Sequence, residues 1–189
     1  MPKKPSVTKL AAHFKNFMIE LGLDLTDKSL KDTPMRVAKM YAEELAVSLH
    51  KEPPPIKVFE NKGYDQMVVV NNISINSMCE HHFLPFVGTC HIAYFPNDVV
   101  IGLSKLPRIA RHFSAKPQIQ EHLTKEIADY LITKLGTEDI AVVIDAKHEC
   151  CSIRGIRDST SSTRTSYLGG RFRNVMREEF LNFINRNKC

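Results

Sequence analysis

The sequence has no apolar run near the ~20 residues that a helix needs to cross a bilayer, so we expect no membrane span. Residues 1–5 are basic, but no long apolar segment follows them, and a secretory signal peptide is not expected. Without secretion, the five cysteines are expected to be reduced thiols in the cytoplasm. Aromatic residues are few and do not alternate with basic ones as stacking platforms would, which argues against a nucleic-acid partner.

The chain has 189 residues, of which 43% are hydrophobic, and this is enough to form one complete core. Its net charge of +5 favours an anionic partner but is modest for a protein that binds duplex nucleic acid. No internal repeat or low-complexity segment interrupts it. Composition therefore predicts a folded protein with a small or moderately charged anionic ligand.

The first third of the chain has the spacing of amphipathic helices. One helix is predicted over 7–21 with a stop at Gly22, and a second begins at Asp32, Thr33 and Pro34 and continues to Leu45. The apolar residues expected to form the buried face of the first helix are Leu10, Phe14, Phe17, Met18 and Leu21. The prolines at 53–55 then predict an extended linker. We therefore predict an N-terminal helical region with its linker over 1–55 and a second unit over 56–189.

Beyond the linker the pattern changes from helical to strand periodicity. Predicted strands cover 66–75, 88–94, 139–146 and 162–168, and residues 99–103 lead into Ser104. Predicted helices follow Ser104, a candidate N-cap, and cover 117–136 and 174–184. Within the helix at 117–136, the expected buried face is Ile119, Leu123, Ile127, Leu131 and Leu135. This order of elements predicts an α+β fold with an antiparallel sheet.

Cys79 and His82 lie three residues apart on a predicted loop, and Cys150 follows a later strand. Thiolate and imidazole donors favour Zn²⁺, and three protein ligands leave one coordination position open, as in catalytic zinc sites. A structural site of four ligands that recruits His81 or Cys151 is the alternative.

Strand geometry offers a way to choose between the two adjacent cysteines. If residues 147–151 continue the preceding strand, His148 and Cys150 point to one side and Cys151 to the other. Cys150 is then the ligand, and Cys151 is expected to be a small buried hydrophobe. Cys90, inside a strand, is expected to be buried, and Cys189 has no predicted partner.

Four motifs in this order make the chain resemble the GTP cyclohydrolase I family. The resemblance covers roughly 8–184, and the motifs are residues 77–82, residues 102–105 with Arg108, residues 118–121, and residues 148–150 with Arg154 and Gly155. The family is zinc-dependent and opens the guanine ring of GTP, releases formate, rearranges the ribose and closes the pterin ring of 7,8-dihydroneopterin triphosphate. This reaction is the first step of tetrahydrofolate and pterin biosynthesis.

The resemblance also implies roles for individual residues. Zinc, one per chain, would be held by Cys79, His82 and Cys150, and His81 and His148 would transfer protons, a task that suits imidazole near neutral pH. Glu121, helped by Gln120, would read the guanine, and Ser104 would lie near the ribose. The cations expected to hold the triphosphate are Arg36, Lys39, Lys105, Arg108 and Arg154.

The family has the tunnelling fold, in which N-terminal helices precede an antiparallel sheet with two helices, and the sheets join between subunits into a barrel. The resemblance therefore implies a homodecamer of two pentameric rings with active sites at subunit interfaces. Other classes remain open at this stage: a related tunnelling-fold enzyme acting on a deazapurine or pterin, a zinc-stabilised binding module, and a nucleic-acid binder whose affinity falls steeply with salt.

Overall fold

The computed structural model describes residues 4–185, so the prediction for Cys189 lies outside the described residues. The chain divides into two compact units, Met1–Glu52 and Pro53–Cys189. Within the described part of the chain, no helix has both the length and the apolar character needed to cross a membrane.

Helix α1 (Val7–Glu20) opens the first unit, and the Ser6 side chain caps it by accepting a hydrogen bond from the Lys9 N–H. It ends, as predicted, before Gly22, whose φ of +81° lies in the left-handed region. The expected buried stripe is largely wrong. Met18 is buried together with Ala11, but Leu10, Phe17 and Leu21 are exposed.

Helix α2 (Thr33–Lys39) begins where the sequence predicts, with Pro34 in its first turn. Asp32 is at the N-cap, but its side chain makes no capping hydrogen bond. The helix does not continue unchanged to Leu45, since a π-helical turn (Met40–Leu45) and then a 3₁₀ turn (Val47–His50) follow it.

The second unit contains a five-stranded sheet in the order β5-β2-β3-β6-β7, in which only the short β2–β5 pairing is parallel. Strands β1 and β4 form a separate antiparallel pair. The elements are β1 (Val58–Glu60), β2 (Val68–Cys79), β3 (Pro85–Tyr94), β4 (Val99–Ile101), α3 (Lys105–Ser114), β5 (Pro117–Gln118), α4 (Gln120–Leu135), β6 (Ile140–His148), α5 (Glu149–Ser152), β7 (Thr163–Leu168) and α6 (Arg177–Asn185). The predicted α+β class is confirmed.

Strand β6, which lies between β3 and β7, is buried on both faces, because helices cover each side of the sheet. Val142 and Ile144 join the larger core with α3 and α4, whereas Val143 joins a second cluster with Phe172 and Phe180. The alternation follows from the pleat, which directs successive side chains to opposite faces. Each such aliphatic residue contributes roughly 1.5–3 kcal/mol when fully buried.

Helix α4 starts three residues later than predicted, because Pro117 and Gln118 form strand β5 beside the end of β2. Its apolar face is confirmed from Leu123 onward, and Gly136 ends it with a φ of +63°. The consequence for the site is that Gln120 and Glu121 occupy the first turn of α4.

Strand β2 carries an irregularity between Val70 and Ile73, where its register against β3 shifts. Asn72 adopts a φ of +56° there, a conformation that asparagine tolerates better than most residues. Its N–H donates to Nδ1 of His91 on β3 at 3.3 Å, which satisfies the displaced backbone group. The strand predicted over 66–75 is therefore a single bulged strand, which the structure places at Val68–Cys79.

We predict that Gly88→Ala destabilises the second unit. Gly88 lies in β3 against β6, and an added Cβ would come within 2.6 Å of the Ala146 Cα and still closer to the Asp145 carbonyl, both backbone atoms that cannot rotate away. The expected loss is about 1–3 kcal/mol in the free energy of unfolding, measured by urea titration. The matched control is Gly102→Ala, whose new methyl would have its nearest neighbours at 3.6 Å. An equal effect in both variants would contradict the steric argument.

Candidate metal centre and active site

Cys79 is the last residue of β2 and is buried. A tight turn follows it, in which the Cys79 N–H donates to the Leu84 carbonyl at 2.8 Å and the Phe83 N–H donates to the Cys79 carbonyl at 2.9 Å. Phe83 has a φ of +53°, so the turn reverses the chain sharply into β3. His81 and His82 are therefore held on a short, hydrogen-bonded turn beside the thiol.

Strand β6 ends at His148, and Cys150 lies in the single helical turn α5. The argument that residues 147–151 continue the strand is therefore wrong. The Ile153 N–H donates to the Glu149 carbonyl and the Ser152 hydroxyl donates to the Glu149 side chain at 2.6 Å, which stabilises the turn. The side chains of Cys150 and Cys151 therefore point in directions set by the turn of a helix, and not to opposite faces of a strand.

Cys79, His82 and Cys150 form a compact group whose candidate ligand atoms all lie within 4.8 Å of one another. Among residues 4–185, the groups of three or more histidine, cysteine or acidic residues placed to hold a metal ion number one, and it is this group. Burial, together with the neighbouring Cys79 thiol, raises the pKa of the Cys150 thiol to about 11. A divalent cation would favour the thiolates that the protein alone disfavours, so the two sulfurs and one imidazole fit a zinc-type ion.

The remaining cysteines divide between the core and the surface. Cys90 is completely buried in β3, as expected. Cys151 is exposed, so the expectation of a small buried hydrophobe is wrong; α5 turns this side chain outward. His81 places its Nδ1 3.8 Å from the Cys79 sulfur, but it is not a member of the three-residue group.

His148 lies between an aromatic ring and an amide. Its ring stacks on Phe86 with centroids 4.7 Å apart and planes 11° apart, and the two residues are register partners in β3 and β6. Its Nε2 is 2.7 Å from Oε1 of Gln120. Burial lowers the pKa of His148, and the Glu121 carboxylate acts in the opposite direction. The imidazole is therefore held in a fixed orientation in a partly buried setting.

Glu121 is exposed on the first turn of α4, next to the buried Gln120. It lines a cavity of about 290 Å³. The other lining residues are Thr124, Lys125, Thr165, Ser166 and Tyr167. This position gives the carboxylate access to a ligand while its charge acts on His148.

Arg154, which follows α5, donates a hydrogen bond from Nη1 to Nε2 of His82 at 2.8 Å. A guanidinium therefore lies directly beside the candidate metal ligands. Lys105 and Arg108 lie near the start of α3, and Ser104 is at its N-cap without a side-chain capping bond. Arg36 and Lys39 belong to α2 of the first unit. There, Nη2 of Arg36 lies 3.9 Å from Oδ2 of Asp32.

Sequence reasoning missed three residues that orient His148 directly or through Gln120. Phe86 stacks on the ring, and Thr124 and Thr165 join the hydrogen bonds of Gln120. Phe86 is only four residues from His82, but its pairing with His148 requires the β3–β6 register, which no local pattern reveals. Thr165 carries no local signal, because alternating polar residues are typical of any half-exposed strand. Thr124 lies in α4, and its contact with Thr165 depends on how α4 packs against β7.

A metal-type Cys-His-Cys group beside a fixed histidine defines the chain as a candidate metal-dependent enzyme. The family model for GTP cyclohydrolase I matches residues 10–185. Relatives named GTP cyclohydrolase 1 include one from a Shewanella species (strain ANA-3), which is 49% identical over 178 residues, or 92% of this chain and 82% of the relative. Another, from Flavobacterium johnsoniae, is 46% identical over 94% of this chain and 81% of the relative. A third, from Yersinia pseudotuberculosis, is 49% identical over 94% of this chain and 82% of the relative.

The chain belongs to the GTP cyclohydrolase I family, which confirms the resemblance drawn from the four motifs.

We predict that metal binding depends on Cys79, His82 and Cys150 and not on Cys151. Cys79→Ser, His82→Ala and Cys150→Ser each remove a member of the group, so each is expected to lose the bound metal as measured by elemental analysis of purified protein. Cys151→Ala removes an exposed thiol one residue away and is the matched control, expected to keep the metal. Loss in Cys151→Ala with retention in Cys150→Ser would overturn the assignment.

Proposed function

We propose that the chain is a zinc-dependent GTP cyclohydrolase I that converts GTP and water into formate and 7,8-dihydroneopterin triphosphate. The observation that carries this proposal is the Cys79, His82 and Cys150 group in a chain of this family. These three residues would hold one zinc ion per chain. When bound, the ion supplies Lewis acidity that lowers the pKa of water from ~15.7 toward ~7.

The protein groups around the metal centre divide the remaining work. His148, fixed by its neighbours, and His81, exposed on the turn, would move protons during ring opening and formate release. The later steps, in which ribose carbons rearrange and close onto the freed amine, also require proton transfer. Two imidazoles of different exposure would suit these successive steps, because His148 is partly buried and His81 is exposed.

Recognition of GTP would use charge of both signs. Glu121 would accept hydrogen bonds from guanine N–H groups, and its place beside a cavity supports this role. Gln120, buried beside Glu121 in the first turn of α4, would help without contacting GTP, and Ser104 would lie near the ribose. The triphosphate, with about four negative charges near neutral pH, would be held by Arg36, Lys39, Lys105, Arg108 and Arg154.

We further propose the tunnelling fold for residues 56–189, with the region 1–55 as a helical extension and linker. The sheets of neighbouring chains would join into a barrel, giving a decamer of two pentamers with active sites at the interfaces. Strand β7 at the sheet edge supports this assembly, because an unpaired edge is a template for further pairing. Ile156 and Val175 are 80% and 85% exposed, which is also typical of surfaces that associate.

The cytoplasm is the proposed location, since all four cysteines in residues 4–185 are free thiols.

One assay separates this function from the alternatives. Metal-replete protein is incubated with GTP, and formate is measured together with a fluorescent pterin after oxidation. A zinc-stabilised binding module or a nucleic-acid binder would release neither product. A related enzyme acting on a deazapurine or pterin would leave GTP intact.

We predict that His81→Ala and His148→Ala keep zinc and bind GTP but lose turnover. Loss of a positioned acid or base typically lowers the rate ~10²–10⁴-fold. Arg154→Ala is the comparison variant, in which weaker GTP binding is expected before any loss of turnover. Zinc content, GTP affinity and formate release are measured on all three. Native turnover in a histidine variant would show that this histidine does not carry protons. Loss of zinc would show that the histidine is a metal ligand.

We predict a particle of about ten chains of 21.5 kDa in light scattering. The shared active sites proposed above require this assembly, so dilution that dissociates it should abolish formate release. A stable, fully active monomer would contradict the proposal.

A further inference from the structure

Gln120 is a buried glutamine whose amide is fully engaged by other protein groups. It is 1% exposed, although it lies beside the exposed Glu121. Its Nε2 carries two hydrogens and lies within hydrogen-bonding distance of three acceptors, so that one hydrogen is shared: the carbonyls of Ile144 at 3.1 Å and Thr163 at 3.0 Å, and the Thr165 hydroxyl at 3.1 Å. Its Oε1 faces Nε2 of His148. All its polar atoms therefore have partners without any contact to a ligand.

These partners fix which end of the amide faces His148. If the amide were reversed, its oxygen would lie about 3 Å from two carbonyl oxygens, with no hydrogen between them. Only the –NH₂ end can satisfy those carbonyls. The orientation thus follows from the chemistry of the neighbours.

Two threonines reinforce the same orientation. The Thr124 hydroxyl donates to the Gln120 backbone carbonyl at 2.9 Å, so the 2.6 Å contact between the two threonine hydroxyls uses the Thr165 hydrogen. The Thr165 oxygen is then left to accept from Nε2 of Gln120. The result is a closed ring of hydrogen bonds with one direction, and each bond in it is buried or partly buried.

An amide oxygen can only accept a hydrogen bond, so Nε2 of His148 must carry a hydrogen. In the neutral ring the lone pair is then on Nδ1. Stacking on Phe86, which is completely buried, fixes the plane of the ring as well.

We propose that Gln120 is a positioning residue that fixes the orientation of His148 and holds it as the Nε2–H tautomer, so that Nδ1 is the ring atom left to contact the substrate. The amide keeps this orientation because its –NH₂ end is bound to the carbonyls of Ile144 and Thr163. Gln120 therefore acts on the substrate through His148 and not by direct contact.

The spectroscopic test uses the native zinc-loaded protein, labelled with ¹⁵N at histidine. The His148 signals are assigned by their absence in His148→Ala, and solid-state ¹⁵N spectra distinguish the two tautomers. The expected result is Nε2–H for His148, and an Nδ1–H signal would overturn the proposal. This measurement needs no turnover and no variant of Gln120.

The kinetic test uses Gln120→Met, which keeps the length of the side chain but removes both kinds of hydrogen bond. We expect a mixture of His148 tautomers and a fall in kcat of about 10- to 100-fold, with KM for GTP changed by no more than about threefold. A higher KM with native kcat would show that Gln120 contacts the substrate directly, and native signals with native kcat would exclude any positioning role.

Gln120→Glu separates positioning from general structural damage. A carboxylate still accepts from His148 but cannot donate to the two carbonyls, so it is expected to keep the Nε2–H signal and more kcat than Gln120→Met. An equal fall in kcat in Gln120→Glu and Gln120→Met, with the same His148 signals in both, would show that the role of Gln120 is merely structural. The matched control is Gln118→Met, which removes another buried amide, one bonded to Phe113 and Glu126, and should leave the His148 signals unchanged.

The kinetic part rests on the proposed function, whereas the tautomer does not. If native protein released no formate from GTP, the function would fail and the spectrum would still decide the state of His148.

Discussion

The antiparallel register of β2, β3 and β6 is the constraint on which the site depends. It pairs Ser77 with Phe86 and Phe86 with His148, so β2 and β6 end beside each other, on either side of the start of β3. Cys79 and Cys150 lie just beyond these pairs, although they are distant in sequence. A slip of one residue would turn each side chain to the opposite face and separate His148 from Phe86. The backbone hydrogen bonds of the sheet therefore bring the two parts of the metal centre together.

Immediately past that edge, both strands change conformation. β2 gives way to a turn with a left-handed residue at Phe83, and β6 gives way to α5. These changes point Cys79, His82 and Cys150 at a common volume, at the cost of crowding two thiols. Burial, and after it the neighbouring Cys79 thiol, raises the pKa of Cys150. A bound cation would favour the thiolates, so metal binding would stabilise this part of the fold.

Much of this could be predicted from local sequence. The helix over Val7–Glu20, the α+β class and the apolar face of α4 follow from periodicity, and the family follows from short motifs. Other features depend on non-local structure. The end of β6 at His148 is set by pairing that stops opposite Phe86, and an alternating pattern cannot reveal where pairing stops. The exposure of Phe17 likewise depends on what covers α1, which its own spacing does not encode.

The orientation of His148 is the clearest case of a local property with a non-local cause. Thr163 and Thr165 hold the amide of Gln120 from β7, and they pair with Ala146 and Ile144 of β6. The direction of the imidazole thus depends on the pairing of the edge strand β7, which is separated from the strand of Cys79 by β3 and β6. Among residues 4–185, no buried side-chain nitrogen or oxygen lacks a hydrogen-bond partner. A shift of β7 would leave Gln120 unsatisfied, at a cost of about 1–3 kcal/mol for each lost partner. The pairing of β7 with β6 therefore also determines the orientation of His148.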